Sequence, residues 1–159
     1  DPPSSPCNTV YISPSTQTVY HETMKAYHSD IETLTVNNNN FRQVLFTGAH
    51  CQLVLMSLLP GEDIGMEVHD TVDQFFRFEV GEGKAIVDGE EILFKTNDVL
   101  IIPAGTNHNI INTSATLKLK LYTIYSPANH PDGTIEPTNP SSLPHPLKQD
   151  KCRRHTHVQ

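Results

Sequence analysis

The sequence predicts an all-β domain, an antiparallel sandwich or small barrel, framed by an extended arm at each end. Three observations predict it. Turn signals recur about every 8–12 residues through the middle of the chain. The segments between them either alternate apolar with polar side chains or run apolar throughout, as half-buried and fully buried strands do. Prolines crowd both ends: Pro2, Pro3 and Pro6 precede Val10, and six more follow Ser126.

Taken in order, residues 1–22 read as an extended arm with an edge strand at Val10 to Ser13. "HETMKAYHSDIETL", from His21 to Leu34, is the one helix-like stretch, and the four-Asn run Asn37 to Asn40 is a polar loop. "QLVLMSLL" (Gln52 to Leu59) is a continuous apolar strand stopped by Pro60-Gly61. "DQFFRFEV" (Asp73 to Val80) alternates, with Gln74, Phe76 and Phe78 on one face and Phe75, Arg77 and Glu79 on the other. "KAIVDGEEILF" (Lys84 to Phe94) is a hairpin turning at Asp88-Gly89. "DVLIIPAGTNH" is a strand ended by Pro103 and a glycine turn, and "ATLKLKLYTIY" (Ala115 to Tyr125) alternates like a half-exposed strand. The expected organisation is an arm over 1–22, a barrel over 23–126 and a Pro-rich tail with a basic end over 127–159.

The 159 residues suffice for one domain with a real core, and 36% apolar residues point to a core smaller than the chain. A net charge of −7 gives no basic footprint for nucleic acid, and no apolar run approaches the ~20 residues of a membrane-spanning helix. "DPPSSPCNTV" lacks the basic start and apolar stretch of a secretory signal. The chain starts on Asp1 and not Met, which leaves open an upstream segment removed by processing; a cytoplasmic location is the expectation. Cys7, Cys51 and Cys152 form no CxxC spacing, so a structural zinc knuckle is not indicated. Cys7 and Cys152 lie in the two arms and could pair in an oxidising compartment, whereas Cys51 reads as a small buried hydrophobe. His155 and His157 form an HxH pair in the solvated basic tail.

One stretch breaks the apolar pattern. "PGEDIGMEVHDTVDQFFRFEVGEG" (Pro60 to Gly83) places Glu67, His69 and Gln74 where a barrel interior should be. Residues two apart on a strand share a face, so Glu67 and His69 point together. "DTVD" then reverses the chain and Gln74 opens the next strand. A carboxylate facing an apolar interior costs several kcal/mol, on the order of 3–5, unless it meets a cation, a donor or water. Arg77 sits on the face opposite Gln74, which leaves a metal as the simpler partner. His108, after "PAGTN", closes the set if its strand lies beside this one. The competing reading is a hydrogen-bonded polar cluster around water.

At these residues the chain resembles the cupin superfamily. Its first motif, G-x5-H-x-H-x4-E-x6-G, is matched in spacing by Gly61, Glu67, His69, Gln74 and Gly81. Its second, G-x5-P-x-G-x2-H-x3-N, is matched by Pro103, Gly105, His108 and Asn112, with Asn97 in place of the opening glycine. Glu82 to Thr96 separate the two, and the resemblance spans about Phe41 to Tyr125. It looks closest to small single-domain cupins whose first motif reads E-x-H-x4-Q. The resemblance implies a double-stranded β-helix, or jelly-roll, barrel holding a metal, often as a homodimer joined through an outer sheet face; the outward Phe75 beside Arg77 would suit that contact.

Carried over position by position, the ligand set is Glu67, His69, Gln74 and His108, with Asn112 as a support that ties backbone near His108. A carboxylate stands where the family has its first His, and an amide where it has its Glu. That mix suits a divalent Fe, Mn, Ni or Zn ion. Gln74 is either a direct ligand or a neighbour of one; without it, two His and one acid remain. No dedicated catalytic base is visible; Glu67 could serve if it does not bind metal directly. Tyr122 and His50 are candidate pocket-mouth residues. Two functions follow. One is a metal-dependent enzyme of isomerase or dioxygenase type acting on a small polar molecule, a sugar or a carboxylic or keto acid. The other is a non-catalytic binding or structural module, dimeric, whose arms contact partner chains.

Overall fold

The computed structural model describes residues 25–142. The expected strand at Val10 to Ser13, the Cys7–Cys152 pairing and the His155/His157 pair lie outside the described residues.

Two antiparallel sheets face each other. The strands are β1 (Arg42–Thr47), β2 (Gln52–Leu58), β3 (Asp73–Val80), β4 (Glu82–Val87), β5 (Glu90–Lys95), β6 (Val99–Ile102), β7 (His108–Asn112), β8 (Leu119–Ser126) and β9 (Ile135–Glu136). The first sheet runs β6-β3-β8-β2-β1-β9 and the second β5-β4-β7. Strands far apart in sequence are neighbours within the first sheet, as the jelly-roll expectation requires. Phe76, Phe78, Val54, Met56, Leu121 and Ile110 are fully buried between the layers. The Phe78 and Phe94 rings stack across them at 3.7 Å. The small row Val44, Val54, Thr123 and Phe76 crosses the first sheet in register.

The Asp88-Gly89 hairpin is present, with φ of 47° and 86°, the left-handed pair a two-residue turn between twisted strands needs. Asn97, which stands in the family's glycine position, has φ of 74°. Asn is one of the few side chains that tolerates this region, which explains how the substitution preserves the turn.

The helix begins later than its sequence signal. α1 covers Ile31–Asn37, because Asp30 caps it by accepting from the Thr33 N–H. Lys25 to Asp30 are not helical, and the Asn run closes the helix: Asn38 is the C-cap and exchanges hydrogen bonds with Asn40. Two strands lacked a clear sequence signal. β1 carries Arg42 and Gln43 among its apolar residues and a bulge between Val44 and Phe46. β9 is two residues long and pairs with β1. The chain therefore stays on the barrel beyond residue 126: Gln52 holds the His130 backbone, and Asn139 donates to the Asp63 carbonyl. Cys51 is exposed and not a core residue, because it belongs to the turn before β2, where the Gly48 N–H bonds to its carbonyl.

Candidate metal centre

The segment from Gly61 to Val72 is not a regular strand. It touches the edge of β7 through two isolated bridges, Asp63 to Ile111 and Glu67 to His108. The second is reciprocal: the Glu67 N–H donates to the His108 carbonyl at 2.8 Å, and the His108 N–H to the Glu67 carbonyl at 2.9 Å. Residues paired this way project side chains to the same side. The Gly105 N–H donates to the His69 carbonyl at 2.8 Å, which pins the Pro103–Gly105 turn against His69. Gly105 has φ of 80°, the conformation a side chain would resist. Backbone hydrogen bonds thus join the two motifs directly.

Gln74 arrives from the opposite sheet, in register between Ile102 and Tyr125. The ligand atoms of Glu67, His69 and His108 lie within 4.8 Å of one another. The His69 and His108 rings are 5.5 Å apart, and His69 Nε2 is 3.4 Å from Glu67 Oε2. Gln74 is 1% exposed; its amide donates to Thr123 Oγ1 at 3.1 Å, which turns Oε1 toward His108 Nε2, also at 3.1 Å.

The donor count at this cluster is unbalanced. His108 Nδ1 lies 3.0 Å from the Thr106 carbonyl, which can only accept. With Nδ1–H donating there, the Nε2 of a neutral ring presents a lone pair to the Gln74 oxygen. His69 Nε2 is buried with no hydrogen-bond partner. Glu67 supplies a carboxylate. The His108 Nε2 lone pair, the Gln74 oxygen and the Glu67 carboxylate therefore converge, with the unpartnered His69 Nε2 beside them. A cation at the centre would satisfy the whole set. The fixed Nδ1–H···O=C contact is the usual way a metal-binding imidazole is oriented. The donor set fits a divalent transition ion.

The remaining expected residues fall elsewhere. Asn112, 1% exposed, donates to the carbonyls of Leu58, Leu59 and Leu117, so its support of His108 runs through the β7 backbone. Arg77 points outward to Asn97, as alternation requires. Tyr122 is paired with Phe75 on the outer face, and His50 is exposed in the turn before β2, so neither borders the cluster.

Sequence reasoning missed Tyr125, Arg42 and His130. The Tyr125 ring stands edge-on to His69 at 5.9 Å and to His130 at 5.0 Å. Its hydroxyl is 3.2 Å from His130 Nε2. Burial, and next the nearby Glu67 charge, push its ionisation far above the ordinary range. Burial, followed by Arg42 and His69, holds His130 down at about 4. An inward Tyr at the end of an alternating strand carries a faint signal; an Arg on the first strand carries none.

The comparisons bear on family. The cupin domain model matches residues 54–125. The uncharacterized protein YrkC of Bacillus subtilis (strain 168) is 46% identical over 125 residues, 75% of this chain and 67% of its own length. The uncharacterized protein L612 of Acanthamoeba polyphaga mimivirus is 45% identical over 122 residues, 74% of this chain and 76% of its own. The crystal structure of BH2720 from Bacillus halodurans superposes with a TM-score of 0.71 at 40% identity, covering 74% of this chain and 93% of that one. With both motifs folded against each other inside a two-sheet barrel, the chain belongs to the cupin superfamily.

Proposed function

We propose that the protein binds one divalent transition ion through Glu67, His69 and His108, with Gln74 Oε1 as the fourth ligand, and acts there on a small polar molecule. The observation that supports this reading is the convergence of the Glu67, His69 and His108 ligand atoms within 4.8 Å of one another, with His69 Nε2 buried and unpartnered and Gln74 Oε1 facing His108 Nε2. Such an ion supplies polarisation of a carbonyl or hydroxyl oxygen, or dioxygen chemistry if it is iron, which suits an isomerase or a dioxygenase. The chain's own contribution is positional. Thr106 and Thr123 orient His108 and Gln74, and Tyr125 walls the cluster beside His69. The test is elemental analysis of tag-free protein and of His108→Ala. Near-stoichiometric metal in the parent that falls sharply in the variant is expected; metal unchanged between them, or absent from both after supplementation, rejects the site.

A second reading, a dimeric binding module, has its own observation. The outer face of the first sheet carries one apolar row in register, Ile101, Phe75, Ile124 and Leu53, beside a row in which Arg77 lies between Val99 and Tyr122. Ile101 is 64% exposed and Val99 50%, a patch that suits a second copy of the chain. Sedimentation of the parent against Ile101→Glu tests it: a dimer converted to monomer supports the contact, and a monomeric parent removes it. Among the described residues no helix is long and apolar enough to cross a membrane.

A further inference from the structure

The segment that carries Glu67 and His69 sits in a register that apolar burial alone would not choose. Ile64 is 8% exposed and belongs to the core, and its N–H donates to the Ile110 carbonyl at 3.0 Å. Continuing that antiparallel pairing residue by residue would set Gly65 against Asn109 and Met66 against His108. Met66 and Val68 would then face the interior with Ile64, and Glu67 and His69 would face water. The structure has the opposite arrangement. Glu67 pairs with His108, while Met66 is 60% exposed and Val68 48%. Burying a methionine and a valine, and returning a carboxylate and an imidazole to water, favours the register that is not seen.

One extra residue makes the difference. Between the Asp63–Ile111 and Glu67–His108 bridges the segment advances four residues and β7 three. Gly65 and Met66 together face Asn109, which is a β-bulge, and Gly65 has φ of 99°, where glycine is favoured. Asn109, 8% exposed, closes the bulge. Its Oδ1 accepts from the Gly65 N–H at 3.0 Å, and its Nδ2 donates to Asp63 Oδ2 at 2.8 Å. Asp63 is held from the other side by Asn139, which is 5% exposed and donates to the Asp63 carbonyl at 2.9 Å. One side-chain amide thus replaces the ladder bond that the bulge interrupts. It belongs to the residue after His108, and alternation puts it on the outer face of the second sheet, away from the cluster.

We propose that Asn109, braced by Asp63, is a positioning residue that selects the register in which Glu67 and His69 face inward. The proposal rests on the metal reading for its affinity readout, but the register has a readout of its own. The two registers are two states of one chain, so an ion that binds one of them has an apparent affinity reduced by the fraction of molecules in that state. Loss of the clasp therefore weakens metal binding and buries Met66 to the same degree. A variant that merely loosened the fold would weaken binding and leave Met66 at least as exposed.

The experiment compares the full chain with Asn109→Asp, Asp63→Asn, the two combined, and Asn109→Ala. Zinc affinity is measured by calorimetry, and peroxide oxidation of Met66 to its sulfoxide is followed in chelated protein by peptide mass mapping. In Asn109→Asp a second carboxylate meets Asp63. Zinc affinity is then expected to fall about 10–100-fold, the scale for groups that orient metal ligands, and Met66 oxidation to slow by the same factor. Asp63→Asn is expected to bind as the parent does. The combined variant is expected to recover most of the lost affinity, because an amide again faces a carboxylate. Asn109→Ala removes the clasp without adding a charge, is expected to show both losses, and carries the test if Asn109→Asp does not fold. Parent-like affinity in the Asn109 variants, a loss in Asn109→Asp that the combined change does not repair, or Met66 oxidised as fast as in the parent overturns the proposal. A parent that binds no zinc rejects the metal reading alone, and Met66 oxidation then decides the register by itself.

Discussion

Replacing Glu67 by Gln separates a metal site from an ordinary buried polar cluster, because the two predict opposite signs for stability. In the metal-free protein the carboxylate faces an unpartnered His69 Nε2 at 3.4 Å, with side-chain exposures of 26% for Glu67 and 13% for His69. The Gln side chain keeps the shape, removes the charge and supplies an N–H that can donate to that nitrogen. One hydrogen bond between partly buried groups contributes about 0.5–1.5 kcal/mol. At about 2–4 °C per kcal/mol for a chain of this size, that corresponds to a rise of about 1–6 °C in Tm for the stripped protein. The same change deletes the one anionic ligand among the four. Divalent-ion affinity is expected to fall about 100-fold or more, or about 2.8 kcal/mol at 1.4 kcal/mol per tenfold. The assay is thermal unfolding of parent and Glu67→Gln after chelation, then repeated across a metal titration. A variant that is less stable without metal, and is stabilised by metal as strongly as the parent, would refute the reasoning.

Three further outcomes follow from the same geometry. Asn97→Ala should destabilise by about 1 kcal/mol in urea unfolding, because alanine at φ 74° meets the left-handed penalty that Asn partly escapes; Asn97→Gly should be near neutral. Truncation after Ser126 should lower Tm clearly, since it removes β9, the Glu136 partner of Arg42 and the His130 contacts. His130 is held neutral in the fold, its value lowered from 6.5 to about 4 chiefly by burial. Its contribution is therefore fully present above pH about 6.5 and is lost as pH falls toward about 4. His130→Gln should flatten the acid side of the stability profile across that window, measured by urea unfolding at stepped pH.

Some of this was readable before any coordinates. Motif spacing placed Glu67, His69, Gln74 and His108 together because turns and pleats convert sequence separation into direction, and Gly105 and Asn97 mark positions where few residues fit. The Asp88-Gly89 hairpin was legible for the same reason. The strand assumed around Glu67 was not: residues 61–72 hold their place by two bridges to β7 and contacts to the Pro103 turn, a tertiary arrangement with no local pattern. β9 is too short to have a signature, and α1 was shortened by a cap hidden inside a helix-like stretch. The Arg42 environment was beyond reach of pattern reading, because its partner Glu136 lies 94 residues away.

The central claim is that the four side chains bind a single ion. An anomalous-difference map from crystals of metal-supplemented protein, recorded at the edge of the metal found by elemental analysis, tests it most directly. The account predicts one peak about 2.0–2.3 Å from His69 Nε2, His108 Nε2 and a Glu67 oxygen, with Gln74 Oε1 as its fourth neighbour. A map with no peak among these atoms after supplementation would contradict it.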